Sequence, residues 1–224
     1  MACQKFIAAL FCIVLMSKDM HAQTIKGPIK YLALGDSYTI GESVGESERW
    51  PVQLAKALNN KGIKVDPPVI IATTGWRTDN LKNAINIAAL KETYGLVSLL
   101  IGVNNQYQGK PVDQYKVEYE DLLKTAIQLA GGKKENVFVV SIPDYGYTPF
   151  GKSKQGQITK ALDEFNAVNK RITESYGIDY FDITTISRRG LADPELVASD
   201  GLHPSGKQYT LWVEKIMEGL KIGR

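Results

Sequence analysis

Asp200 and His203 stand three residues apart in Ser199-Asp200-Gly201-Leu202-His203-Pro204. Positions so spaced share one face in a turn or in the first turn of a helix. The carboxylate can then accept from one ring nitrogen, fix the tautomer and leave the other nitrogen as a general base. Such a base needs a nucleophile, and Ser37 in Gly35-Asp36-Ser37 directly follows a short apolar run; a hydroxyl is a weak nucleophile without a neighbouring base. Acyl transfer further needs donors aimed at the oxygen that turns negative. The backbone N–H of Ser37, the backbone N–H of Gly75, which has no side chain to block close approach, and the side-chain amide of Asn104 are the candidates. Each of these has a plain structural reading as well. Asp200 to His203 fits a capping turn before the last helix, with Pro204 or Ser205 starting it, and Gly-Asp-Ser is a common turn tripeptide. Together they supply a nucleophile, a base with its orienter and oxyanion donors.

These residues need a frame that brings separate loops together. Continuously apolar runs at 31–34, 69–72, 96–101 and 137–142 predict buried strands, and 178–183 a weaker fifth. Between them, helical spacing appears at 50–61, with Pro51 suited to a first helical position, and at Leu81, Ile85, Ala88 and Ala89, where Thr78 or Asp79 would cap. It appears again at 112–130, stopped by Gly131-Gly132, at 158–176 and at 208–220. Residues 143–155, rich in glycine and proline, predict a surface loop near the active edge. Apolar strands separated by helices imply a parallel sheet covered on both faces. The expected fold class is α/β: a three-layer α/β/α sandwich with a five-stranded parallel sheet in the flavodoxin-like order second-first-third-fourth-fifth. Ligands of such sheets bind outside the carboxyl ends of the strands. The polar clusters Gly35-Asp36-Ser37, Thr74-Gly75-Trp76, Gly102-Val103-Asn104-Asn105 and Pro143-Asp144 all follow strand ends.

The chain of 224 residues carries 23% charged side chains and a net charge of +3. That balance is globular rather than disordered, and no basic cluster of the kind a nucleic-acid surface requires is present. Residues 1–22 read as a secretory signal peptide: Lys5, an apolar run at 6–16 too short to span a bilayer, and a small residue at Ala22 before the expected cleavage at Gln23. A short buried N-terminal helix is the competing reading. Cys12 follows the bulky Phe11 and makes no convincing lipid attachment site, so no stable membrane anchor is expected. Both cysteines, Cys3 and Cys12, lie in this segment. The expected mature domain, 23–224, then has no cysteine and a single histidine, His203, which excludes a metal site with two or more histidines. The expected setting is periplasmic or secreted.

The chain resembles the SGNH hydrolases, also called GDSL esterases and lipases. The first block of that family is matched by Gly35-Asp36-Ser37-Tyr38-Thr39-Ile40-Gly41, the second-block glycine by Gly75 in Thr73-Thr74-Gly75-Trp76, the Gly-x-Asn block by Gly102-Val103-Asn104, and the Asp-x-x-His block by Asp200 and His203. Gly75 is preferred over Gly95 because it follows a strand. The resemblance implies Ser37, Asp200 and His203 as the catalytic triad, Ser37, Gly75 and Asn104 as the oxyanion hole, the flavodoxin-like sandwich, and a serine esterase that needs no cofactor or metal. Two positions depart from the usual pattern: Tyr38 stands where leucine is common, and Asn105 where aspartate is common. No Gly-x-Ser-x-Gly elbow surrounds Ser37, which argues against an α/β-hydrolase.

Trp76, Asn105, Tyr107 and Tyr145 are expected to contact substrate, and Tyr147 and Phe150 lie in the same stretch of loops. No long apolar lid is apparent, so the expected substrates are small-molecule or carbohydrate esters, short-chain or acetyl. The alternatives are a lysophospholipase or thioesterase for longer acyl chains, and a non-catalytic ligand-binding domain on an esterase fold. The intact set Ser37, Asn104, Asp200 and His203 argues against the last.

Overall fold

The computed structural model describes residues 28–222, so the expected signal peptide lies outside the described residues. Five strands form one parallel sheet: β1 (Tyr31–Gly35), β2 (Val69–Ala72), β3 (Leu96–Leu100), β4 (Val137–Val140) and β5 (Asp179–Phe181). Their spatial order is β2-β1-β3-β4-β5, as the sequence predicts. The register pairs Leu34 with Ile71 on one side and with Leu99 on the other. Every residue of β1, β3 and β4 is buried, whereas β2 and β5 are exposed at their starts. That difference follows from position, since the first three are central and the other two are edges.

Among the described residues, eight α-helices complete the fold: α1 (Ser37–Ile40), α2 (Trp50–Asn60), α3 (Thr78–Ala88), α4 (Val103–Tyr107), α5 (Val112–Leu129), α6 (Gln155–Ser175), α7 (Thr184–Ser187) and α8 (Gly206–Gly219). One layer packs α2 against α8, and the other packs α5 against α3 and α6. The reason is visible along each helix. In α2, Trp50, Leu54, Ala55 and Leu58 turn inward, and in α5, Tyr115, Tyr119, Leu122 and Ala126 do so. This spacing places them on a single stripe. Full burial of each leucine on these stripes contributes about 1.5–3 kcal/mol.

Helix starts depart from expectation in three places. Arg77, not Thr78 or Asp79, occupies the cap position of α3. The Thr78 hydroxyl is taken by Asn105 and Glu118, and Asn80 Oδ1 accepts the Arg77 N–H instead. α6 begins at Gln155, because a 3-10 turn at Lys152–Lys154 runs straight into it. In α8 the Ser205 side chain caps by accepting from Gln208 N–H at 3.2 Å. Residues 143–155 are no open surface loop: Tyr145, Gly146 and Thr148 are buried and held by short turns. Among the described residues, no helix is long and apolar enough to cross a membrane.

Candidate active site

β1 ends at Gly35, and Asp36 caps the short α1 by accepting the Tyr38 N–H at 3.0 Å. Ser37 is therefore the first helical residue, and its own N–H has no helical carbonyl to reach. It makes no hydrogen bond among the described residues. After β2, residues Thr73 to Trp76 form a turn closed by Trp76 N–H to Thr73 carbonyl at 3.3 Å, with Gly75 at φ +84°. That dihedral favours glycine and leaves the Gly75 N–H without a protein acceptor.

After β3, Gly102 starts α4 at φ +131°, and a Cβ there would lie 2.5 Å from the Tyr115 hydroxyl. The glycine of the third block is thus demanded by backbone and packing together. Asn104 donates from Nδ2 to the Trp76 carbonyl at 2.9 Å. An amide nitrogen carries two N–H groups, so this bond fixes its orientation and leaves one donor for the cavity it lines.

The last loop carries the expected base and the carboxylate expected to orient it. His203 Nδ1 lies 2.6 Å from Asp200 Oδ2, while Asp200 Oδ1 accepts the N–H groups of Leu202 and His203 at 2.9 Å each. A fourth donor, the Ser43 hydroxyl, reaches Oδ2 at 2.7 Å. Burial alone would raise the Asp200 pKa, but the hydrogen bonds from His203, Ser43 and the two backbone groups outweigh it and hold the carboxyl well below the usual range. Asp200 is a carboxylate at any working pH, and the Nε2 of His203 is left for proton transfer.

Ser37, Gly75, Asn104 and His203 line one cavity of about 180 Å³, together with Tyr38, Val103, Tyr107, Tyr145, Phe150 and Leu202. A larger, shallow groove along α6, lined by Tyr147, Thr159 and Asp163, contains none of the four blocks. The Tyr38 ring meets the imidazole edge-on, with centroids 5.6 Å apart. At the rim, Tyr107, Tyr145 and Phe150 form a triangle with centroids 6.2–6.3 Å apart. Behind it the buried Asp144 accepts from Gly146 N–H, Thr159 Oγ1 and Arg188 Nε at 2.8–3.0 Å, which ties the rim to α6 and α7.

Tyr107 and Tyr145 therefore stand where the sequence places them, on the cavity. Two expected substrate contacts do not. The Trp76 ring is half-buried, packs against the core and is not among the residues lining the cavity, while its carbonyl accepts from Asn104. Asn105 is buried and absent from the lining, because both ends of its amide are bound to Thr78. Sequence reasoning missed Ser43, Leu202 and the contact of Tyr38 with the base. Leu202 sits inside the Asp-x-x-His block and was open to notice, but nothing local marks Ser43. Among the described residues no group of three or more His, Cys, Asp or Glu side chains is placed to hold a metal.

This sheet, with its polar blocks gathered at the carboxyl ends of the strands, defines an SGNH-type hydrolase fold. The model of the GDSL-like Lipase/Acylhydrolase family matches residues 33–211, and the chain belongs to that family. It is a carboxylic ester hydrolase. Solved structures share the fold at low identity. TesA aligns at 16% identity and TM-score 0.67, over 86% of this chain and 98% of that one. Axe2, an acetylxylan esterase from Geobacillus stearothermophilus, aligns at 19% and 0.66, over 86% and 94%. A putative GDSL-like lipase from Parabacteroides merdae aligns at 21% and 0.66, over 88% and 98%. No curated protein matches the sequence.

Proposed function

We propose that the enzyme hydrolyses short-chain carboxylic esters, with acetyl esters of carbohydrates as its substrate class, through an acyl-serine on Ser37. The observation that carries this reading is the single small cavity on which Ser37, Gly75, Asn104 and His203 all open. Its volume of about 180 Å³ equals roughly six water-sized groups. That suits an acetyl group and the ester linkage, with the adjoining groove of about 390 Å³ beyond Tyr107, Tyr145 and Phe150 left for the rest of the substrate. The alcohol must then lie outside, against the aromatic rim, where Tyr107 is 59% and Phe150 52% exposed. Flat exposed rings beside a polar mouth suit the faces of a sugar.

In the proposed mechanism Ser37 Oγ attacks the ester carbonyl carbon and passes its proton to His203 Nε2. Asp200 holds the imidazole by Nδ1 and stabilises its charged form. The oxyanion is received by the N–H groups of Ser37 and Gly75 and the free N–H of Asn104, which are fixed before the reaction begins and need no reorganisation. His203 returns the proton to the departing alkoxide as the C–O bond breaks. Water then attacks the acyl-serine, giving its proton to His203, and as the acyl C–Oγ bond breaks His203 passes that proton to Ser37 Oγ, restoring the hydroxyl and releasing the acid.

The test is a chain-length series of p-nitrophenyl esters from acetyl to palmitoyl, followed by acetylated xylo-oligosaccharides, a probe chosen because acetylxylan is named for one structural neighbour. The expected order places acetyl highest in kcat/KM, with release of acetate from the oligosaccharides. A preference for long acyl chains would instead support a lysophospholipase or thioesterase.

A further inference from the structure

The segment after α1 reaches in two directions. Glu42 accepts from the Thr74 hydroxyl, beside Gly75. Ser43, the next residue, donates to Asp200 across a sequence separation of 157. Among the described residues, the other three hydrogen bonds to Asp200 come from its own turn, from Leu202 and His203. Ser43 is thus the link between the carboxylate and the strand of chain that carries Ser37.

The backbone at Ser43 provides a second, independent observation. Its φ is +65°, and only one other described non-glycine residue, Ala89, has a positive value. The left-handed region is uncommon for a residue with a Cβ, and such strain gathers at functional sites. Glycine would take the same turn without penalty. What serine adds there is the hydroxyl, and the hydroxyl is spent on Asp200 Oδ2, the same oxygen that faces His203 Nδ1.

We propose that Ser43 is a positioning residue for ester hydrolysis: its hydroxyl locks the rotation of the Asp200 carboxylate, so that the imidazole stays aimed at Ser37. This rests on reading Ser37, Asp200 and His203 as the reacting triad.

Ser43→Ala and Ser43→Gly in the full chain separate the hydroxyl from the turn. With p-nitrophenyl acetate, both variants are expected to lose about tenfold in kcat, equivalent to about 1.4 kcal/mol and just under the range for a hydrogen bond to a charged group. KM should stay within about twofold, since the loss falls on the transition state. Ser43→Gly should fold at least as stably as wild type, because it relieves the positive φ. Wild-type kcat in Ser43→Gly would overturn the proposal and leave only a turn residue, even if Ser43→Ala were impaired. Hydrolysis that survives Ser37→Ala would overturn the triad reading itself, and this inference with it, by a separate measurement.

Discussion

Asn105 and Thr78 hold each other at two points: the amide oxygen accepts the Thr78 N–H at 3.1 Å, and the amide nitrogen donates to Thr78 Oγ1 at 2.7 Å. Both residues are buried. The pair fastens α4, which carries Asn104, to the first turn of α3, just beyond the loop of Gly75. Two proposed oxyanion donors from different strand ends are thereby held in one frame.

Removing this amide should therefore act on stability before binding. Asn105→Ala leaves the Thr78 N–H buried without a partner, which costs about 1–3 kcal/mol. The expected result is a lower urea midpoint, with KM for p-nitrophenyl acetate close to wild type. A several-fold rise in KM at unchanged stability would return Asn105 to the substrate contacts.

Ser37→Ala should abolish ester hydrolysis while leaving the fold intact, because the hydroxyl is the proposed nucleophile and its backbone N–H remains. A fluorophosphonate should label wild type at Ser37 and fail on the variant. Mass spectrometry that finds the label on another serine defeats the assignment.

Asn104→Ala removes a donor that meets the oxygen most strongly once it is charged. Loss of such a donor typically costs about 10²–10³-fold in kcat, and KM should change little. A raised KM with normal kcat would make Asn104 a ground-state binding residue instead.

These contacts also mark what was legible in the sequence. β1, β3 and β4 are readable because strands buried on both faces must be apolar throughout; strand and helix alternating implies a parallel sheet, and its order was expected from the flavodoxin-like pattern rather than from the alternation. The four blocks are readable because their chemistry is local: Asp200 and His203 sit in one turn, and Ser37 directly follows a strand. Neighbourhood in sequence does not fix where a side chain points. Asn104 and Asn105 are adjacent on α4, yet successive helical residues differ by about 100°, so one faces the cavity and the other faces Thr78. Trp76 contributes its carbonyl, not its ring, for the same reason. The Ser43 contact, 157 residues from its partner, has no periodicity to betray it.

Asp36, next to the proposed nucleophile, gives a prediction about pH and stability. Its side chain is fully buried; Oδ1 holds the Tyr38 N–H, and Oδ2 has no hydrogen-bond partner. Burial pushes its pKa up to about 7, against the lowering effect of hydrogen bonds from backbone groups that include Tyr38 and Gly102. An unfolded aspartate titrates near 3.9. Between about pH 4 and 7 the native state therefore holds a proton that the unfolded chain has released, and stability falls as pH rises through that window. The contribution is fully present below about pH 4 and lost above about pH 7, with a ceiling of about 4 kcal/mol for a difference of three units. Asp36→Asn keeps the shape and a capping oxygen but cannot ionise. Urea unfolding of both proteins at pH 4, 6 and 8 isolates this group, because the remaining titrations largely cancel in the difference. The variant should match wild type at pH 4 and gain on it steadily toward pH 8. A difference that stays constant across the three values would show that the Asp36 carboxyl does not titrate in this range.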